Sequence, residues 1–316
     1  KFKRDNNLNY DVDQIVVSTG AKQSIANVCM SLINKGDEVL IPTPYWVSYS
    51  AMVALAEGVP VFINPDEESN YKITAQQLES AITDKTKMLM LNSPNNPSGS
   101  VFTEQEYLEF SKVLSKYPNI IIVSDEIYEH INYGVKSVSF ASLPGMYDRT
   151  VTVNGISKAY AMTGWRIGYL GAPKIIAKAC NKMQGQITSG ANCIAQRATI
   201  KALEESPEKI QYMVDEFRIR RDFIIDLVTK INGFNIKKPP MGAFYIFPDI
   251  SELFGKTFKD LTINDANDLS MLILEKAHVA TVPGDAFGYP NCIRISYSAS
   301  REQIEEAIRR IKDLLS

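Results

Sequence analysis

Two side chains that could do chemistry, Lys158 and Arg166, lie eight residues apart in segment 154–168, after a strand-like run. An amine held where it can lose its proton can form a Schiff base with an aldehyde. A guanidinium keeps its proton, which suits it to anchoring a phosphate. A surface lysine and a surface arginine on an ordinary strand–loop–strand are an equally good interpretation, so other parts of the chain are needed to choose between them.

Contacts to a phosphate and a flat ring are predicted at two points where a strand is followed by a helix. Residues 15–18 form a short apolar strand pattern, and the turn at Gly20 leads directly into a helical pattern. Free N–H groups and the dipole at such a helix start favour a phosphate, although a plain strand–helix turn has the same pattern. Trp46 lies at the next strand-to-helix corner, where an indole either stacks on a ligand ring or fills a gap in the core.

Polar residues also occur in or after three apolar strands. Residues 92–99 are rich in Asn and Pro and predict a rigid turn that is a candidate wall of a site. Asp125 follows residues 120–124, which are apolar enough for a central strand of a parallel sheet. A buried aspartate needs a cation or hydrogen-bond donors, and a structural cap is the alternative role. Arg294 lies within an apolar strand and should be neutralised by a protein carboxylate or by a bound anion.

The strand and helix patterns alternate to about residue 200, which predicts the α/β class with a mostly parallel sheet flanked by helices. We expect a large domain over residues 1–206, a connecting helix over 207–232, and a smaller C-terminal α/β domain over 233–316. Capping-box patterns at Thr74 and Thr103 predict two helix starts. We also expect a strand over residues 166–171 and a helix over about 266–278.

Composition excludes several classes of protein. The chain has 316 residues, 45% hydrophobic and 22% charged, with a net charge of −2, so neither nucleic acid nor an anionic membrane is an expected partner. No apolar run approaches the roughly 20 residues that cross a bilayer, and we expect a cytoplasmic protein. The four cysteines are scattered without a Cys-x-x-Cys pair, which predicts reduced core thiols and no metal site.

Together, the features at the strand ends suit a ligand with a phosphate, a flat ring, a basic ring nitrogen and an aldehyde. Pyridoxal phosphate has all four parts. Over nearly its whole length the sequence resembles the fold type I pyridoxal-phosphate-dependent class I aminotransferases, in particular the bacterial aspartate aminotransferases. The segments that carry the resemblance are 20–23, 44–49, 92–99, 124–128, 157–168 and 294–297.

The resemblance implies three catalytic residues. Lys158 would hold the cofactor and move a proton between the substrate α-carbon and the cofactor. Asp125 would keep the ring nitrogen protonated, and Tyr128 would hydrogen-bond the phenolic oxygen of the ring. The other implied cofactor-binding residues are Gly20, Ala21, Lys22, Trp46, Asn96, Ser157 and Arg166.

The resemblance also implies the substrates, an L-amino acid and a 2-oxo acid. Arg294 would bind the α-carboxylate with help from Asn96, next to Trp46. Lys22 matches a lysine linked to the distal carboxylate, which favours aspartate with 2-oxoglutarate, giving oxaloacetate and glutamate; alternatively, Lys22 only adds charge near the phosphate. A homodimer with the active site at its interface is implied as well.

The sequence departs from the family at two places. Relatives carry an N-terminal segment before the region that matches Lys1, which includes a tyrosine that reaches the neighbouring subunit. Relatives also often have serine where this chain has Gly155, and Ser157 is the expected substitute.

Other functions stay open at this point. An aromatic or prephenate aminotransferase, or a carbon–sulfur lyase, would use the same scaffold, and a non-catalytic module could bind pyridoxal phosphate without turnover. A nicotinamide-dependent dehydrogenase is disfavoured, because the first strand–helix turn lacks Gly-x-Gly-x-x-Gly.

Overall fold

A seven-stranded sheet is the centre of the computed structural model, which describes residues 1–66 and 69–316. Its strands are β1 (Ile15–Ser18), β2 (Glu38–Pro42), β3 (Val59–Ile63), β4 (Thr86–Asn92), β5 (Ile121–Asp125), β6 (Thr150–Gly155) and β7 (Gly168–Gly171). Their order is β1-β7-β6-β5-β4-β2-β3, with β7 antiparallel to both of its neighbours and the other strands parallel to one another. The mostly parallel sheet and the central place of β5 are confirmed.

Helices cover both faces of this sheet. They are α1 (Phe2–Asn6), α2 (Ala21–Leu32), α3 (Ser48–Leu55), α4 (Ala75–Ala81), α5 (Glu104–Leu114), α6 (Lys174–Ile187) and α7 (Cys193–Glu204). Alternate residues of a strand point to opposite faces, so Val123 of β5 packs in the core formed with α2, α3 and α6, whereas Ile122 packs in the core formed with α4 and α5.

The two predicted capping boxes are confirmed. Thr74 accepts a hydrogen bond from the backbone N–H of Gln77, whose side chain returns a contact to the Thr74 backbone. Thr103 and Glu106 form the same reciprocal pair at the start of α5. Each pair satisfies N–H groups that a helix start leaves free, which explains where these two helices begin.

The C-terminal part is a smaller α/β unit. Its elements are α8 (Gln211–Val228), β8 (Tyr245–Ile246), β9 (Thr257–Phe258), β10 (Leu261–Thr262), α9 (Ala266–Leu272), β11 (Val282–Pro283), β12 (Ile293–Ser296) and α10 (Arg301–Leu314). Strands β11, β12 and β8 form an antiparallel sheet, and β9 pairs with β10. The predicted fold class is confirmed, while the domain boundaries at residues 206 and 232 stay a prediction.

Three expectations need correction. The connecting helix is two elements, because a 3-10 turn over Pro207–Ile210 precedes α8 and buries Ile210 against the core. The helix expected over 266–278 changes after Leu272 to a wider π turn, Ile273–Ala277, and ends where His278 adopts a left-handed conformation with φ of 54°. Three cysteines are buried as expected, but Cys193 is exposed because it begins α7 at the surface.

Among the described residues, no helix combines the length and the apolar character that crossing a membrane requires.

Candidate active site

A cavity of about 320 Å³ lies where the carboxyl ends of β4, β5 and β6 meet the start of α2. Ligand sites in open α/β sheets typically form at this edge, because loops from several parallel strands converge there. The cavity is lined by Ala21, Lys22, Trp46, Asn92, Asn96, Asp125, Ile127, Tyr128, Ser157, Lys158, Thr163 and Arg166. The structure thus brings together all of the predicted cofactor-binding residues except Gly20, which caps α2 beside the cavity.

The amine of Lys158 is held in the loop after β6 without a carboxylate partner in the described part of the chain. Its Nζ lies 5.7 Å from the ring centroid of Tyr128 and 5.6 Å from that of Phe244. Burial lowers the pKa of Lys158, the nearby charge of Arg294 lowers it further, and Asp125 partly opposes both effects. A lowered pKa leaves more of the amine neutral, and the neutral amine is the nucleophile and the base.

Asp125 ends β5 as a buried carboxylate that is held by hydrogen bonds. The Tyr49 hydroxyl donates to Oδ2 at 2.7 Å, and the backbone N–H of Ile127 donates to Oδ1 at 3.2 Å. Burial raises the pKa of Asp125 to about 6, against these two hydrogen bonds and the charge of Lys158. Of the two kinds of partner that the sequence predicted, the described residues supply hydrogen-bond donors, so the carboxylate can still accept a cationic group of a ligand.

The start of α2 forms a cradle for an anion. Gly20 has φ of 84° and offers no side-chain cap, so the N–H groups of the first turn are available. A Cβ atom on Gly20 would collide with the guanidinium of Arg166, so this side chain packs directly against the glycine. Arg166 Nη1 donates to the Thr163 carbonyl at 2.9 Å.

The position of Arg166 corrects one expectation. The strand predicted to begin at this residue begins at Gly168, and Arg166 has a left-handed conformation with φ of 55°. Its side chain therefore leaves the strand direction and reaches the start of α2.

Asn92 and Asn96 connect the turn after β4 to the rest of the site. The Asn92 Oδ1 accepts from the backbone N–H of Asn96 at 2.9 Å, and its Nδ2 donates to the Asp125 carbonyl at 3.0 Å. Asn92 therefore links the two strand ends that carry Asn96 and Asp125. The sequence predicted the turn as a wall of the site, but it did not single out Asn92.

Arg294 lies in β12, outside the cavity lining, and reaches the site through Asn96. Its Nη1 donates to Asn96 Oδ1 at 2.8 Å, and its guanidinium carbon lies 4.6 Å from the Tyr245 ring centroid and 5.0 Å from that of Phe287. No acidic side chain in ranges 1–66 and 69–316 forms an ion pair with Arg294. The described residues therefore provide no carboxylate partner for Arg294. Of the two expected partners, this favours a bound anion.

A family model for class I and II aminotransferases matches residues 1–311. The chain belongs to that family. The probable aspartate/prephenate aminotransferase of Rickettsia prowazekii is 47% identical over 315 residues, which are 99% of this chain and 79% of the relative. A bifunctional aspartate aminotransferase and glutamate/aspartate-prephenate aminotransferase of Petunia hybrida is also 47% identical, over 100% of this chain and 67% of the relative. The crystal structure of an aspartate aminotransferase from Rhizobium meliloti superposes with a TM-score of 0.95 at 43% identity, covering 100% of this chain and 80% of that one.

In this aminotransferase, the remaining charged and aromatic wall of the cavity is formed by Lys22 and Trp46. Lys22 is exposed, and its Nζ lies 5.0 Å from the Trp46 ring centroid. The Trp46 ring meets the Tyr49 ring edge-on, with centroids 5.4 Å apart. Tyr49 was not predicted as a site residue, although it lies in segment 44–49, which resembles the family.

Steric crowding explains why this aminotransferase has glycine and not serine at position 155. A Cβ atom there would lie 2.9 Å from the Ile167 carbonyl oxygen and 3.0 Å from Ile127 Cδ1, so a serine would be crowded. Ser157 lines the cavity and is buried, which leaves its hydroxyl as the candidate substitute.

Proposed function

We propose that this aminotransferase uses pyridoxal phosphate to transfer an amino group between an L-amino acid and a 2-oxo acid. The observation that carries this proposal is one cavity in which the amine of Lys158 and the carboxylate of Asp125 both lack an ion-pair partner among the described residues. Asp125 is buried and Lys158 is half-buried. Charged groups held in a cavity without an ion pair cost stability, which favours a functional role for both.

The residues of the cavity fit the cofactor. The start of α2 and Arg166 form an anion cradle in which a Cβ on Gly20 would meet the Arg166 guanidinium. Free N–H groups beside a cation suit a phosphate. Asp125 supplies a buried carboxylate for a protonated ring nitrogen, and Trp46 supplies an aromatic face. Tyr128 lines the same cavity, and its hydroxyl is the group that would bind the phenolic oxygen of the ring.

When it is bound, pyridoxal phosphate supplies an aldehyde that bonds to amines and a ring that withdraws electrons from the adjacent carbon. Lys158 would bind the aldehyde and then, once a substrate amine displaces it, take the proton from the substrate α-carbon. Its lowered pKa suits both tasks, because each requires the neutral amine. Asp125 would hold the proton on the ring nitrogen.

Arg294 and Asn96 are proposed to hold the substrate α-carboxylate. Asn96 Oδ1 already orients one edge of the guanidinium, which leaves the other nitrogen donors for a two-point contact with a carboxylate. This contact would place the α-carbon toward Lys158 and exclude binding of amines that lack a carboxylate.

Aspartate with 2-oxoglutarate is the proposed substrate pair. Lys22 is an exposed cation at the cavity wall, placed to bind a distal carboxylate. The Rickettsia and Petunia relatives are both named for aspartate, which supports this choice. Their names also include prephenate, so prephenate is the second candidate amino-group acceptor. By analogy with the family, we propose a homodimer with the site at the subunit interface.

The proposal is tested by mixing the protein with pyridoxal phosphate, reducing it with borohydride and mapping the labelled peptide by mass spectrometry. We expect the label on Lys158 in the wild type and none on the peptide of Lys158→Ala. Lys178→Ala, an exposed lysine of α6, is the control and should label normally. Label on another lysine instead of Lys158 would contradict the proposed cofactor site. If no glutamate forms from aspartate and 2-oxoglutarate, the proposed substrate pair is wrong.

A further inference from the structure

Tyr245 of β8 contacts two residues with different proposed tasks. Its hydroxyl oxygen lies 2.9 Å from that of Tyr128, which lines the cavity beside Lys158. Its ring lies under the guanidinium of Arg294, with the guanidinium carbon 4.6 Å from the ring centroid. Tyr245 is buried and is not among the residues that line the cavity.

The contact between the two hydroxyls allows two donor directions, and only one of them leaves the Tyr128 proton for a ligand. One hydroxyl of such a pair donates and the other accepts. Since Tyr128 is the member that faces the cavity, it keeps its proton for a ligand only when Tyr245 donates to it. A phenol whose oxygen accepts a hydrogen bond is itself a stronger donor, because neighbouring hydrogen bonds polarise one another.

The ring of Tyr245 stabilises the guanidinium of Arg294, which forms no ion pair with the described residues. In the described chain this guanidinium has Asn96 as a hydrogen-bond acceptor and the rings of Tyr245 and Phe287 beside it. A cation over an aromatic face is stabilised by the ring quadrupole while its N–H donors stay free for an anion. The ring of Tyr245 therefore limits the motion of Arg294 without neutralising it.

We propose that Tyr245 is a positioning residue with two separable actions: its hydroxyl strengthens Tyr128 as a donor toward the cofactor, and its ring orients Arg294 toward the substrate carboxylate. This inference rests on the proposed function. The charged and titratable groups near Tyr128 are Tyr49, Asp125, Lys158, Arg294 and Tyr245 itself. A phenylalanine at 245 leaves the first four in place.

The test compares Tyr245→Phe with Tyr245→Leu in protein loaded with pyridoxal phosphate. One readout is the pH midpoint of the visible absorption band of the bound cofactor. The other is the Kd for maleate, a dicarboxylate that has no amino or oxo group and so binds without reacting.

Tyr245→Phe should move the pH midpoint upward by about half a unit or more, because Tyr128 becomes a weaker donor to the phenolic oxygen, and should leave the maleate Kd within about twofold. Tyr245→Leu should move the midpoint similarly and also weaken maleate binding about threefold or more. An unchanged midpoint in Tyr245→Phe would overturn the hydroxyl action. Equal maleate affinity in the two variants would overturn the action of the ring.

Tyr133 offers a matched control. Its hydroxyl lies 3.1 Å from that of Tyr297, and the guanidinium carbon of Arg221 lies 5.0 Å from its ring centroid, but it does not line the cavity. Tyr133→Phe and Tyr133→Leu should lower thermal stability without moving either readout. If the wild type forms no absorption band with pyridoxal phosphate, the proposed function fails instead, and this outcome is distinct from the others.

Discussion

The hydroxyl of Tyr49 donates a hydrogen bond of 2.7 Å to Asp125 Oδ2, and both side chains are buried. Tyr49 lies in the first turn of α3 and Asp125 at the end of β5, so the bond joins two elements that are 76 residues apart. Burial and the neighbouring carboxylate raise the pKa of Tyr49, so this phenol stays protonated and acts as the donor.

Tyr49→Phe should raise the pKa of Asp125 further above its present value of about 6, by about one unit, because a bond to the charged form is lost. Affinity for pyridoxal phosphate near neutral pH should fall, since less of the carboxylate is ionised. Carbon-13 NMR of labelled aspartate in the apoprotein measures the pKa. Tyr10→Phe, which loses a contact of 3.3 Å to Thr152 away from the cavity, should leave it unchanged.

Arg294→Lys should lower kcat/KM for aspartate by about 10- to 100-fold, mainly through KM, because an ammonium cannot make a planar two-point contact with a carboxylate. The Kd for pyridoxal phosphate should change little, since Arg294 is not among the residues that line the cavity. Arg301→Lys is the control, because Arg301 forms an exposed ion pair with Glu216. Equal loss of cofactor and substrate binding would instead indicate a structural role.

Lys22→Ala should reduce kcat/KM for aspartate by about tenfold, and that for phenylalanine much less, because only aspartate has a distal carboxylate for this exposed cation. Steady-state kinetics with both amino acids measure the ratio. A similar fall for the two substrates would indicate that Lys22 acts through the phosphate, the alternative role that the sequence left open.

Glu126 is a buried acid on the other side of the β5 end from the cavity, and it should make apoprotein stability depend on pH. Ser124, Ser139 and Asn6 donate side-chain hydrogen bonds to its carboxylate. Burial and the charge of Glu129 raise the pKa of Glu126 to about 7, from 4.5 for the unperturbed group. The folded protein thus binds this proton more tightly than the unfolded chain does. The contribution of Glu126 to the free energy of unfolding is therefore complete below about pH 4.5 and is lost as the pH rises through about 7.

Glu126→Gln should therefore gain free energy of unfolding relative to the wild type, on the order of 1–3 kcal/mol, between pH 4.5 and 8. Urea unfolding of both apoproteins at the two pH values gives this difference. Glu104→Gln, which alters an exposed pair with Lys136, controls for the general effect of pH and should show almost no such gain. A difference that does not vary with pH would contradict the assigned pKa.

Local sequence patterns predicted the strands and helices that carry the site. Lys158, Asp125 and Trp46 were identifiable because each lies at or after the end of a strand in a series of strand–helix units. Parallel strands end at one edge of a sheet. The starts of α4 and α5 were predictable because a capping box involves residues only three positions apart.

The boundaries and the direction of some elements were less predictable. The antiparallel place of β7 between β1 and β6 depends on how a loop returns to the sheet, which a strand pattern does not encode. Arg166 was expected in β7, but it precedes this strand and has a left-handed backbone conformation, from which its side chain reaches Gly20. A left-handed arginine has no sequence pattern of its own, because packing and not local preference stabilises it.

The sequence by itself determined which side chains are available for chemistry and at which strand ends they occur, because the periodicity of apolar residues and the chemistry of turns are local properties. Only the tertiary structure decided which partners those side chains have: Tyr49 for Asp125, and Tyr245 for both Tyr128 and Arg294. Tyr128 and Tyr245 are 117 residues apart, so their contact requires the C-terminal unit to pack on the loop after β5. Such contacts depend on the order of strands and the packing of distant cores, which residue spacing along the chain does not specify.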